Sequence, residues 1–284
     1  WNPLYKRIAR QTRRVVNFSI YHQLPFLVVL AVFLAVLFAA LEIGYRLGIR
    51  KQRTWKGAAD DVGKLFLTSL FGVLGLMLAF SFGSGVSFHK ARKQAIVLEA
   101  NALDTAYLRA GLVEDPGRSD LRRVLLDYAR TRTAGSKKIP DAETLRQLIG
   151  ESWRAKAKLW PVTEEILRKS ERGPIEASLV AAVTNVLDAD TIRVAAISDC
   201  LPPVVLTMLL LIAAATVSVA GFNAGITGRI SRWRATILCL VIAAIMLVIL
   251  DFDRPITGFI RINNESIRAV IAEMEADLGS SGPR

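Results

Sequence analysis

Hydrophobic and polar positions alternate along this chain on the scale of whole helices. Four long apolar runs occur, Leu24–Leu41, Leu65–Phe88, Val204–Phe222 and Thr236–Phe252, the last with Asp251 near its end. Each is about as long as the 20 or so residues needed to cross a bilayer as a helix. Between the second and third runs the pattern changes: apolar residues recur at three- and four-residue spacing, as in Ile96, Leu103, Tyr107 and in Leu179, Val183, Val186. That is the spacing of helices packed on one another in water.

The second run, LFLTSLFGVLGLMLAFSFGSGVSF, passes into HKARKQAIVLEANALDTAYLRAGL with no Pro or cap between them. A single helix over Leu65–Leu112 would be roughly 70 Å long, about twice the hydrocarbon thickness, so half of it must stand in water. Its glycines Gly72, Gly75, Gly83 and Gly85 permit close helix contact or a local bend in a membrane. Ala214 and Ser218 in the third run have the small-xxx-small spacing of tight packing between spans.

The expected order is a basic amphipathic segment over 1–23, spans one and two over 24–88, a soluble helical bundle over 89–200, spans three and four over 201–252, and a tail over 253–284. Lys6, Arg7, Arg10, Arg13 and Arg14 with Leu4, Ile8, Val15 and Phe18 fit a helix lying at the headgroup level, or a basic tail. His22 has no neighbouring His or Cys and reads as interfacial. The first span, longer than a signal h-region and followed by charge, reads as a retained signal anchor. In the bundle, EDPGRSD predicts a turn with Ser119 or Asp120 as the next cap. AGSKKIPD predicts another, with Asp141 capping a helix that stops at Pro161. A last helix is expected from Ser266.

Composition agrees with this segregation: 52% of the 284 residues are hydrophobic, 22% are charged, and the net charge is +12. The cations flank apolar runs, which suits anionic lipid headgroups and excludes a nucleic-acid partner, because no soluble module interleaves them with exposed aromatics. Two cysteines, Cys200 and Cys239, lie in or beside apolar runs and read as small hydrophobes. No nucleophile, P-loop, zinc or dinucleotide motif occurs, and Asp188 and Asp190 point to different helix faces. The chain is expected to be no enzyme and to need no cofactor. Four spans put both termini on the side of the bundle. Charge does not choose that side: the loops 42–64 and 223–235 hold nine Lys and Arg, and the two tails eight.

Leu76, Phe80, Ser84 and Phe88, each four apart, form a candidate pore-lining stripe, a narrow apolar constriction with a small hydroxyl if several copies surround an axis. The same stripe also fits ordinary packing of spans. His89, Lys90, Arg92 and Lys93 follow as a candidate basic pore mouth that would concentrate anions, or as an ordinary basic flank. Further on, Glu99, Asn101, Asp104 and Thr105 would line an aqueous vestibule or satisfy one another.

AFSFGSGVSFHKARKQAIVLEANALDTAYLR resembles the second-helix region of bestrophins, and more closely that of bacterial bestrophin-like membrane proteins. ILDFDRPITGFIRI and EIGYRLG are similar to segments after the last and first spans of the bestrophin-like family. The resemblance implies an all-α membrane protein with four transmembrane helices and a soluble helical bundle inserted between the second and third. It further implies a homo-oligomer, a pentamer in bestrophins, that passes small inorganic ions, chloride-like anions foremost. The second helix would line the pore in a bacterial inner membrane, with bundle and termini cytoplasmic. By the same resemblance Asp251 and Asp253 are candidates for a metal-binding acidic cluster, although Asp-x-Asp falls short of the six to eight oxygens of a calcium cage. The alternative is a non-conducting membrane scaffold whose helical bundle binds a partner protein.

Overall fold

The computed structural model describes residues 25–54, 61–133, 142–170, 173–228, 231–254 and 262–280. The expected amphipathic segment with His22, the AGSKKIPD turn with Asp141, and most of RPITGFIRI lie outside the described residues. Eight helices are described: α1 (Phe26–Thr54), α2 (Asp61–Ala110), α3 (Gly117–Thr133), α4 (Ala142–Lys169), α5 (Pro174–Ser198), α6 (Pro203–Thr227), α7 (Arg232–Asp253) and α8 (Glu265–Ser280). No strand is present among the described residues. Four helices, α1, α2, α6 and α7, carry stretches long and apolar enough to cross a membrane.

The chain divides into two compact units, Trp1–His89 with Asp199–Ile260, and Lys90–Ser198 with Arg261–Arg284. Helix α2 belongs to the first through His89 and to the second from Lys90.

In the first unit Val29, Phe33 and Leu37 of α1, Leu74 and Leu78 of α2, Leu209 and Val217 of α6, and Ile242, Met246 and Ile249 of α7 form one buried cluster. Helix α1 does not stop at Leu41, because EIGYRLGIRKQR holds no Pro and its glycines are used in a contact. A Cβ on Gly44 would strike the Ser218 carbonyl, one on Gly48 the Phe222 carbonyl, and one on Gly221 the Leu41 carbonyl. Gly225 faces Tyr45 and Gly48 in the same way. These pairings rise together in number, so α1 and α6 run parallel, backbone against backbone. The small-residue contact expected at Ala214 and Ser218 is therefore centred further along, on Ser218, Gly221 and Gly225. Glycines at i and i+4 on both helices supply the close approach that membrane helix pairs need. Asn223 Nδ2 donates to Gly63 O at 3.1 Å and ties the start of α2 to α6.

In the second unit Ile96, Leu103 and Tyr107 of α2 and Leu179, Val183 and Val186 of α5 are all buried, as their spacing predicts. Leu121, Leu125 and Tyr128 of α3, Leu159 of α4, and Ile267 and Met274 of α8 complete the cluster. The tail thus contributes α8 to this unit. Two expectations about helix ends are corrected. Helix α3 begins at Gly117, and Asp115 does the capping, accepting from Ser119 N–H at 3.3 Å and Ser119 Oγ–H at 2.5 Å. Helix α4 runs through Pro161 to Lys169. An interior proline costs about 3 kcal/mol. Leu159 and Ile166 on either side of it are both buried, each worth about 1.5–3 kcal/mol, so packing outweighs the missing N–H.

Candidate functional site

Helix α2 turns Leu74, Leu78, Ser81 and Gly85 into the first unit. The opposite side, through Ser69, Gly72, Leu76, Phe80, Gly83 and Ser87, is exposed. Leu76 is 57% and Phe80 66% exposed. Nothing lies within 4 Å of where a Cβ would stand on Gly72, Gly75 or Gly83. The expected stripe does not stay on this side: Ser84 is half-buried, and Phe88 packs against the buried cluster of the first unit. The cause is helical geometry, since a step of four residues overshoots a turn by about 40° and three such steps swing the stripe about 120°. Residues keeping the direction of Leu76 are Gly83 and Ser87. Thr68 and Ser69 donate to the carbonyls of Lys64 and Leu65 at 3.0 Å, so those two hydroxyls serve the helix itself.

Phe252 of α7 stands against this inward turn. Its ring centroid lies 5.6 Å from Phe82 and 5.7 Å from His89, edge to face in both cases. Gly85 makes room for it, a Cβ there lying 3.3 Å from Phe252 Cβ. One residue on, Asp253 is fully buried, and its Oδ1 accepts the Leu201 N–H at 2.7 Å, pinning the end of α7 to the segment before α6. Asp251 is also buried. Among the described residues no group of three His, Cys, Asp or Glu could hold a metal ion. Asp253 is engaged by backbone.

Of the basic run, Lys90 and Lys93 are exposed and His89 is half-buried. Arg92 leaves the group: it is buried, and its Nε donates to Ala196 O at 3.1 Å inside the second unit.

The second unit also holds a charged cluster around Glu99, whose side chain is wholly buried. Arg193 Nη1 lies 2.6 Å from Oε2, and Tyr128 Oη donates to Oε1 at 2.7 Å. Arg132 Nε lies 2.7 Å from Oε1 as an ion pair. Arg132 also reaches Asp190 at 3.1 Å and Ser152 Oγ at 2.9 Å, and Lys156 pairs with Asp190. Arg193 donates to Asn264 Oδ1 at 3.4 Å. Burial alone would raise the Glu99 carboxyl, but Arg132 and Arg193 with the Tyr128 hydroxyl hold it below the ordinary carboxylate range. Burial, helped by Glu99, pushes the Tyr128 phenol well above its usual value. Asn101 is exposed and Asp104 and Thr105 are half-buried, so Glu99 does not join them in a polar row. Spacing along α2 singled out Glu99 but missed its partners, which come from α3, α4, α5 and the segment before α8. The one signal available was the number of Arg and Asp residues interrupting otherwise apolar bundle helices.

A four-span, all-helical membrane protein with a helical bundle between its second and third spans is the class these features define. The family profile of the Bestrophin-like domain matches residues 31–267, and the chain belongs to that family. Its fold is similar to the crystal structure of a single-substitution variant of a bacterial bestrophin homologue from Klebsiella pneumoniae, with a TM-score of 0.65 at 10% identity, over 88% of this chain and 98% of that one. A second crystal structure, of a variant described as a membrane protein, aligns with a TM-score of 0.58 at 9% identity, over 91% of this chain and 99% of that one. No curated protein sequence matches.

Proposed function

We propose that the chain forms a homo-oligomeric ion channel of the bacterial inner membrane that passes small anions through a pore lined by α2. The observation that carries this reading is the outward side of α2. From Ser69 to Ser87 it presents small, hydroxyl and apolar residues that the protomer leaves uncovered. Copies of that side around an axis make a narrow, mostly apolar passage of the kind that opens by wetting. The axis-facing candidates are Leu76 and Phe80, with Gly83 and Ser87 continuing their direction. Ser84 and Phe88 of the original stripe serve as its inner backing. His89, Lys90 and Lys93 at the end of the span raise the local anion concentration. Family membership supports the topology and the anion preference, with the bundle and termini in the cytoplasm.

Reconstitution into planar bilayers in unequal KCl tests the proposal. The expected result is a conductance whose reversal potential lies toward the chloride equilibrium potential. Folded, oligomeric protein without conductance overturns the channel, and reversal at the potassium potential overturns the anion preference. The detergent-corrected particle mass tests assembly: five copies fit the proposal, and one or two fit a scaffold. In intact cells, modification of Ser136→Cys by an impermeant reagent would place the bundle outside.

A further inference from the structure

One end of the first unit collects cations. Helices α1 and α6 end there and α2 and α7 begin there, as the contacts of Gly48 with Phe222 and Gly225 and of Asn223 with Gly63 fix. Among the described side chains this end carries Arg46, Arg50, Lys51, Lys64, Arg232 and Arg234 against one acid, Glu42. Helix α1, with 29 residues, is about 44 Å long against about 30 Å of hydrocarbon, so its last turns stand at headgroup level.

On the outer side of α1, Ile43 and Leu47 are 58% and 49% exposed, and Arg46 and Arg50 share their face at helical spacing. Lys51 lies alongside, its Nζ 5.6 Å from the Phe222 ring centroid. Arg46 pairs with Glu42 at 2.6 Å. At the same end α7 opens with Arg232, an exposed Trp233, and Arg234, whose guanidinium lies 5.8 Å from the indole. Tryptophan beside arginine is the side-chain pairing of a membrane interface.

We infer that this end binds the headgroup of an anionic phospholipid, with its phosphate at Arg46 and Arg50, Lys51 flanking them on the side of α6, and an acyl chain along Ile43 and Leu47. Ile43, Leu47, Arg46 and Arg50 share one helix face in the order that chain and headgroup require. A second copy of this chain would bring the same cationic surplus to the contact. Anionic lipid supplies the complementary charge, at about fivefold in affinity per Lys or Arg.

The test titrates dioleoylphosphatidylglycerol in detergent micelles into the purified protein and follows its thermal midpoint. Dioleoylphosphatidylcholine and inorganic phosphate serve as comparators. Phosphatidylglycerol is expected to raise the midpoint and the comparators to leave it unchanged. The R50Q/K51Q variant should need roughly 25-fold more phosphatidylglycerol for the same rise. If that variant does not purify, Arg50→Gln alone is read in the same way, with about fivefold expected. An equal rise with phosphatidylcholine, a rise reproduced by inorganic phosphate, or a variant titrating like the parent overturns the site. So does a variant that changes particle mass while its lipid titration stays put, because a second copy would then occupy the face. The readout involves no conductance and stands apart from the channel proposal.

Discussion

Gly48 and Gly225 touch with nothing between them but hydrogen: a Cβ on Gly225 would lie 2.9 Å from the Gly48 Cα. No rotamer change relieves such a clash, because the obstacle is main chain. Gly225→Val or Gly48→Leu should therefore destabilise the membrane unit by about 1–3 kcal/mol or more. Gly72→Ala, into open space, should be neutral. Thermal midpoints of the detergent-solubilised variants check this, and a Gly225→Val protein as stable as Gly72→Ala would refute the seam.

Arg193→Leu should be among the most damaging single changes in the second unit. It takes from the wholly buried Glu99 its closest cation while Arg132 and Tyr128 stay, so the cost should approach but not reach the about 3–5 kcal/mol of leaving a buried charge unpaired. Combining Arg193→Leu with Glu99→Gln should cost less than the sum of the two single changes, because each single change already removes their shared ion pair. A denaturant or thermal comparison of parent, single and double variants measures the coupling.

Acid should weaken this cluster. The Glu99 carboxyl titrates lower in the folded protein than its ordinary 4.5, so the unfolded chain binds the proton more readily. Its contribution is then fully present above about pH 4.5 and fades as pH falls from there through the folded value. The parent's stability advantage over Glu99→Gln should shrink across that window and stay level between pH 6 and 8. An advantage that grows on acidification would contradict the sign.

Phe80 and Phe88 should respond differently to truncation. Phe80→Ala removes an exposed ring from the proposed passage and should raise single-channel conductance while leaving the thermal midpoint nearly unchanged. Phe88→Ala removes a ring packed on the first unit's core and should lower the midpoint by an amount typical of partly buried aromatic truncation, about 1–3 kcal/mol. Recordings paired with melts distinguish the two roles, and equal behaviour would remove the distinction drawn from the turn of the helix.

The spans were legible because runs of 15 or more residues without a charge have few alternatives, and the long second helix because nothing in it breaks. What escaped was contact between distant residues. Gly44 and Gly48 carry no mark of Gly221 and Gly225, and only the folded first unit brings them together. Pro161 looked like a stop because local chemistry is what a linear reading sees, whereas Leu159 and Ile166 are judged by the partners they bury against.

 The stripe Leu76, Phe80, Ser84, Phe88 begins on the exposed side of α2 and drifts inward at its last two members, because an interval of four is not a whole turn. Glu99 could be picked out as a polar residue on a buried helix, but its counterion Arg193 lies 94 positions away, beyond the reach of any local pattern.

That separation sets an order of events while the chain is being made. At 5–20 residues per second, Arg193 leaves the ribosome about 5–20 s after Glu99. Asn264, which holds Arg193, follows later still, after the last two spans have been synthesised. Until Arg193 emerges the Glu99 carboxylate lacks its closest cation, and until Asn264 emerges Arg193 lacks its own support. The charged centre of the second unit is therefore a late-closing lock, completed only when almost the whole polypeptide exists.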